Sequence, residues 1–345
     1  MRNIKAIILL FTVAAISAAT VLYGGVTLAF SDTFIAADTS SEQVESTVST
    51  DKAPQKAESS LPSPQSSSSK TDSTVAVQEN HTVSGKIISK FINPKSAAYS
   101  YGGVYMKNSS GASIDIKTEL QAGSKIKIGK SDEPQILIMH THTTESYIQE
   151  TRDYYTTNDA SRSTDNTRNM AAIGDIIADK VAAAGYGVLH DKTQHDYPSY
   201  SGSYDRSKIT VTEYLKKYPS IKIVIDVHRD ALSASNGDKI KLVTDINGKP
   251  AAQVMLVMGS QTGKVTGYKN WRQNLRLAMQ FHQKLEQKYP TLARPMVVAS
   301  KLYNQHLTTG SMLIEIGTDA NSMEEAKYSA ALVGDALVAL LGDLN

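Results

Sequence analysis

The stretch QILIMHTHTTESY, residues 135–147, indicates both the fold and the chemistry of this chain. Its four apolar residues, 136–139, have the length and branching of a buried strand. Directly after them come three groups that can bind a metal ion or transfer a proton, His140, His142 and Glu145. The stretch therefore predicts a buried strand that ends at a functional site.

Two later apolar segments have the same design. IKIVIDVHRDA, residues 221–231, leads into His228, and SMLIEIGTDANS, residues 311–322, contains Glu315. Other apolar runs of strand length lie at 187–189, 254–258 and 295–299. Helical patterns separate these runs, which predicts an α/β fold with a mostly parallel sheet flanked by helices. Because ligands bind at the carboxyl ends of such strands, we expect the three segments to form one site.

The beginning of the chain has the pattern of a membrane anchor and a tether. A basic start, residues 1–5, precedes residues 6–30, which carry no charged side chain. As a helix, that run would rise about 37 Å, enough to cross a hydrocarbon core of about 30 Å. A cleaved signal peptide is the alternative. Residues 31–80, rich in Ser, Thr and Pro, predict a disordered tether. We expect a single-pass membrane protein with a cytoplasmic N-terminus.

The remaining chain is expected to fold in two portions. Residues 81–132 alternate short apolar pieces with turn-forming segments, which predicts a small, partly β lead-in. The α/β catalytic domain is expected to span residues 133–345. Its last helix should begin at the cap Asn321, with Glu324 three positions later in a capping box.

The composition excludes several classes of function. The chain has no cysteine, which excludes thiol catalysis and cysteine-based zinc sites. A net charge of +2 without a long basic block argues against nucleic-acid binding. The HRD motif at 228–230 lacks the glycine-rich loop and the downstream Asn of a kinase.

A hydrolytic zinc site needs three His, Asp or Glu ligands and a further carboxylate that accepts a proton from water. The candidates are His140 or His142, together with Glu145, His228 and Glu315. Alternation along a strand sends both histidines of the HTH segment to one face, one as ligand and the other orienting a ligand or substrate. Flanked by isoleucines, Glu315 would need a partner. An arginine such as Arg229 or a metal-bound water would provide one.

Several segments resemble the stage II sporulation protein P family. They are YGGVYMKNSSG, ILIMHTHTTESY, HDYPSYSGSYDRS, YPSIKIVIDVHRDA, NGKPAAQVMLVMG and YNQHLTTGSMLIEIGTDANSMEEA. The resemblance implies a peptidoglycan hydrolase of forespore engulfment, similar in fold to zinc-dependent N-acetylmuramoyl-L-alanine amidases. It also implies amidase and D,D-endopeptidase activity outside the cytoplasm at the sporulation septum. Stage II sporulation proteins D and M are the implied partners.

The resemblance also implies roles for individual residues. The HTH segment would supply a zinc ligand, assigned to His140, with His142 in a catalytic role. The HRD segment would supply His228, and Glu315 would take the place of the amidases' catalytic glutamate.

The third ligand is assigned to Glu145, with Asp165 as the alternative. Arg229 and Tyr147 are candidates for contact with the substrate. The competing hypothesis is a non-catalytic, wall-binding scaffold that recruits partner hydrolases.

Overall fold

The computed structural model describes residues 82–345, so the expected anchor and tether lie outside the described residues. In this part of the chain the strands are β1 (Val83–Lys90), β2 (Tyr99–Tyr101), β3 (Val104–Asn108), β4 (Ser131–Met139), β5 (Tyr154–Thr156), β6 (Tyr186–His190), β7 (Ile223–Asp230), β8 (Lys239–Ile246), β9 (Lys249–Ala252), β10 (Val254–Gly259), β11 (Met296–Ala299) and β12 (Ser311–Thr318). The α-helices are α1 (Ile116–Ala122), α2 (Met170–Ala183), α3 (Ser203–Lys217), α4 (Trp271–Lys288) and α5 (Met323–Asp343). None of these helices is long and apolar enough to cross a membrane.

The main sheet has eight strands in the order β2-β3-β11-β10-β12-β7-β4-β6. The pairs β3–β11, β11–β10, β12–β7, β7–β4 and β4–β6 are parallel, whereas β2–β3 and β10–β12 are antiparallel. The prediction of a mostly parallel α/β sheet is therefore confirmed.

Side-chain alternation along β4 explains why helices cover both faces of this sheet. Ile136 and Ile138 belong to the large core that α2, α4 and α5 also line. Leu137 and Met139 point the other way and pack with Val211 of α3. The continuous apolar run at 136–139 is thus a strand buried from both sides, as parallel sheets require.

Residues 82–132 contribute to both sheets of the described structure. Strands β2 and β3 extend the main sheet, while β1 pairs with β5 and β8 in a four-stranded sheet. Helix α1 is tied to α4 because Glu119 forms ion pairs with Arg272 and Arg276. The lead-in is partly β, as expected, and its boundary at residue 132 stays a prediction.

The expected cap of the last helix is wrong by one residue. Ser322 caps α5, and the side chain of Glu325 completes the capping box. Asn321 is unavailable for capping because its Oδ1 accepts the backbone N–H of Thr318, 2.8 Å away, and closes the turn after β12. The same pattern of a polar cap followed by an acid three residues later occurs at both positions, so the sequence does not distinguish them.

Candidate metal centre

The three strand ends meet at one edge of the sheet. In the strand register Glu315 of β12 lies beside His228 of β7, and Met139, the last residue of β4, lies beside Asp226. The turn after β4 brings His142 to a ring-centroid distance of 5.2 Å from His228. Parallel pairing therefore gathers groups that are up to 173 positions apart in the chain.

His228 lies between two carboxylates. Its Nδ1 is 3.7 Å from Oε2 of Glu145, and its Nε2 is 2.8 Å from Oδ1 of Asp226. The Nε2 contact is an ion pair that lies outside hydrogen-bond geometry. Burial works to lower the pKa of His228, but Asp226 and Glu145 outweigh it and raise that pKa well above its usual value. Asp226 is itself held by the backbone N–H and the hydroxyl of Thr141, at 2.8 and 2.7 Å.

Glu145 is buried but charged. Burial alone would raise the pKa of its carboxyl, whereas Arg229, His228 and His142 lower it, and the net shift is downward. Its side chain is 2 % exposed. Oε2 also accepts the backbone N–H of Arg229 at 3.3 Å. Glu145 is therefore an anionic oxygen donor fixed against β7.

His142 has a ring nitrogen without a hydrogen-bond partner within the cluster. Its residue is 5 % exposed, and its Nδ1 has no hydrogen-bond partner among the described residues. Burial lowers the pKa of His142 to about 4, despite the opposing effect of Glu145. The ring stacks on Tyr200 with centroids 4.5 Å apart and meets Tyr204 edge-on at 5.7 Å.

The pKa of Glu315 shifts upward, in the opposite direction to that of Glu145. Its Oε2 is buried without a hydrogen-bond partner in the described structure, although the residue as a whole keeps some exposure. Burial raises the pKa of Glu315 to about 8, and the neighbouring acids Asp230 and Glu145 contribute, against the effects of His228 and Arg294. A carboxyl group with such a pKa can accept and release a proton near neutral pH.

Arg229 does not supply the partner expected for Glu315. Its guanidinium donates instead to the carbonyl oxygens of Ser146 and Ser161, at 3.0 and 2.7 Å. Tyr147 is also turned inward, 3 % exposed, and its hydroxyl donates to the carbonyl of Ile316 at 2.8 Å. Both side chains brace the site from within, and their contact with substrate stays a prediction.

His140 lies outside this cluster. Its Nδ1 is 2.8 Å from the carbonyl oxygen of Val227, and its Nε2 is 2.8 Å from Nε2 of His190. The expectation that His140 and His142 share a strand face does not hold, because β4 ends at Met139 and a turn follows. Burial and the neighbouring His190 lower the pKa of His140 to about 3. Both ring nitrogens of His140 are engaged within the fold, so the geometry favours His142 beside Glu145 and His228.

The alternative third ligand, Asp165, is exposed and accepts the backbone N–H of Thr167 at 2.9 Å. Sequence analysis did not identify Arg162, which lies 3.8 Å from Oε1 of Glu145. Arg162 also pairs with Asp196 and places its guanidinium carbon 4.7 Å from the centroid of the Tyr200 ring. Nothing in the local sequence around Arg162 indicates its position beside Glu145, which arises from tertiary contacts.

The donor set fits zinc chemically. His142, Glu145 and His228 offer two imidazoles and one carboxylate, a combination that zinc hydrolases use. The unpartnered Nδ1 of His142 and the acid behind His228, Asp226, suit a metal ligand and its supporting carboxylate. In residues 82–345 no three such side chains already stand as a preformed metal site.

The chain matches known proteins in sequence and fold. A family model described as stage II sporulation protein P matches residues 25–338. Stage II sporulation protein P of Bacillus subtilis (strain 168) is 28 % identical over 215 residues, 59 % of this chain and 50 % of the relative. The match thus spans about half the length of that protein.

Among solved structures, the chain is similar to N-acetylmuramoyl-L-alanine amidase AmiC2 of Nostoc punctiforme, with a TM-score of 0.38 and 10 % identity over 62 % of this chain and 98 % of that one. It is also similar to the CwlD amidase of Clostridioides difficile, solved in complex with the GerS lipoprotein, with a TM-score of 0.38 and 10 % identity over 61 % and 98 %. The family model, in contrast, covers most of the sequence, and the chain therefore belongs to the stage II sporulation protein P family.

Proposed function

We propose that this protein is a zinc-dependent peptidoglycan hydrolase of forespore engulfment. Its main reaction would cleave the amide between muramic acid and the stem peptide, and its second would cleave the peptide cross-link as a D,D-endopeptidase. One observation carries the proposal: His142, Glu145 and His228 converge beside Glu315, an acid whose buried Oε2 lacks a partner in the described structure. Membership of the family supports the assignment to the cell wall and to sporulation.

His142, Glu145 and His228 would hold the zinc ion, so His142 replaces His140 in the ligand set expected from the sequence. When bound, zinc would lower the pKa of a water molecule and polarise the scissile carbonyl. Asp226, 2.8 Å from Nε2 of His228, would keep that ring oriented.

Glu315 would act as general base and then as general acid. Its raised pKa makes the carboxylate a strong enough base to take a proton from the attacking water. The same proton would then pass to the leaving nitrogen, which must be protonated for the C–N bond to break. The partial exposure of Glu315 is consistent with access of a substrate to this side chain.

The remaining expectations belong to the same proposal. Residues 6–30 would anchor the protein in the membrane, and residues 31–80 would give the catalytic domain its reach to the wall. The folded part would lie outside the cytoplasm, with stage II sporulation proteins D and M as partners.

The test is digestion of purified peptidoglycan by the full-length chain, with products identified by mass spectrometry. An amidase releases peptides that begin with their free N-terminal amine, a deacetylase releases acetate, and a scaffold releases neither. We expect His228→Ala and Glu315→Gln to abolish release, and Glu150→Gln, at an exposed loop position, to leave it intact. Solubilisation of wall at the wild-type rate by His228→Ala would refute the site.

A further inference from the structure

A chain of hydrogen-bonding groups runs beneath the candidate metal centre and explains the position of His140. It begins at Asp175 of α2, whose side chain is 44 % exposed, and continues to His190 at the end of β6, 7 % exposed. It then passes through the fully buried His140 to the carbonyl oxygen of Val227 in β7. The three contacts measure 2.9, 2.8 and 2.8 Å.

The acceptors at the two ends determine where the protons lie. A carbonyl oxygen can only accept, so Nδ1 of His140 donates to Val227. Full burial disfavours a second proton on that ring, so its Nε2 carries a lone pair. An ionised carboxylate can only accept, so Nδ1 of His190 donates to Asp175. Two lone pairs facing each other at 2.8 Å would repel, and the contact therefore needs a proton on Nε2 of His190. His190 is the donor in this pair. Asp175 is its counter-charge and opposes the burial that lowers the pKa of His190.

The pair is packed tightly against the backbone of α2. A Cβ atom added at Gly174 would come within 2.4 Å of Nε2 of His190 and 2.7 Å of Nε2 of His140. The two rings meet edge-to-face with centroids 5.1 Å apart. The glycine therefore leaves room for the two rings but not for a side chain of its own.

These hydrogen bonds connect the two segments that carry the proposed zinc ligands. His140 lies two positions before His142, and Val227 immediately precedes His228. The carbonyl oxygen of His140 is held in turn by Nδ1 of His195 at 2.8 Å. The ring of His140 thus fixes the turn after β4 against β7, and His190 fixes the ring.

We propose that His190 is a positioning residue of the metal centre. By donating Nε2–H to His140, it holds the turn that carries His142 and Glu145 in register with His228. The inference rests on the proposed function, since it assumes that these three residues bind zinc.

Two substitutions at one position separate this role from simple filling of space. In His190→Gln the amide nitrogen can take the place of Nε2 and donate to His140, whereas in His190→Asn the amide reaches only towards Asp175. We expect zinc affinity near wild type for the glutamine variant and about 10- to 100-fold weaker affinity for the asparagine variant. The matched control is His282→Asn, at a buried histidine of α4 bound to the carbonyls of Gly103 and Arg294, and it should keep wild-type affinity.

The measurement is zinc titration of the full-length chain against a competing chelator, with urea unfolding of the metal-free protein as the check on folding. Equal affinities of the two His190 variants, or weaker binding by the glutamine variant, would overturn the proposal. A loss of affinity in the asparagine variant that is matched by His282→Asn would overturn it as well.

A second readout does not depend on zinc. In the metal-free chain labelled with ¹⁵N-histidine, two-bond proton–nitrogen correlation spectra report which ring nitrogens are protonated. We expect His140 to be protonated at Nδ1 and His190 at Nε2, and a proton bound to Nε2 of His140 would refute the hydrogen-bonded pair. If the wild type shows this pattern but binds no zinc, the proposed function fails while the hydrogen-bonded pair stands.

Discussion

Replacement of Glu315 by glutamine should stabilise the metal-free protein at neutral pH while it abolishes activity. The pKa of Glu315 is about 8 in the folded protein, against 4.5 for an ordinary glutamate. The folded state therefore keeps a proton that the unfolded state loses above pH 4.5. The stability that Glu315 contributes is complete below that pH and is lost as the pH rises towards 8.

The magnitude follows from the width of that window. A pH of 7.5 lies three units above the pKa of this glutamate in the unfolded state. At about 1.36 kcal/mol per unit, the loss of stability has an upper limit of about 4 kcal/mol. Because the residue keeps some exposure, solvent screening reduces the effect, and we expect about half of that limit, about 2 kcal/mol. Because the amide of Gln does not ionise, the glutamine variant does not lose stability in this way.

The assay is urea unfolding of the full-length chain and of Glu315→Gln in chelator, at pH 5 and pH 7.5. The glutamine variant should be about 2 kcal/mol more stable than wild type at pH 7.5, and the difference should nearly vanish at pH 5. Glu150→Gln, at an exposed position, should show no such pH dependence. With zinc present the gain should shrink, because a nearby dication favours the carboxylate. A difference that grows as the pH falls would contradict a raised pKa of Glu315 in the folded protein.

Three further predictions concern other parts of the fold. Tyr200→Ala removes the ring stacked on His142. Diethyl pyrocarbonate should therefore modify His142 about tenfold faster in the metal-free protein. The magnitude follows because one aromatic pair and one cation–π contact together contribute about 1–2 kcal/mol. Tyr99→Ala, at a similarly exposed tyrosine of β2, serves as the control, and an unchanged rate in Tyr200→Ala would show that the ring does not cover His142. Ser322→Ala removes the cap of α5 and should lower the free energy of unfolding, measured in urea, by about 1 kcal/mol. An unchanged free energy of unfolding would indicate that Asn321 caps the helix instead. Removal of metal by chelator should stop wall hydrolysis and added zinc should restore it, whereas His142→Ala should stay inactive; activity that survives thorough chelation would contradict zinc dependence.

The parts of the fold that follow from local pattern were predictable from the sequence. The apolar run at 136–139 alternates between two cores, and such a doubly buried strand needs no information beyond its own residues. The meeting of His228 and Glu315 was also predictable, because parallel strands place their carboxyl ends at one edge of a sheet. Both predictions rest on apolar runs of strand length, which the chain carries locally.

Which side chains face one another depends on contacts between distant parts of the chain. Strand alternation implied that His140 and His142 are equivalent, but β4 ends at Met139, and the turn that follows sends one ring to His190 and the other to His228. Arg229, expected beside Glu315, instead binds the carbonyls of a distant loop. The strands, their shared edge and the set of candidate ligands follow from local sequence. The selection among these ligands depends on the direction of each side chain after its strand has ended, and contacts with residues far away in the chain set that direction.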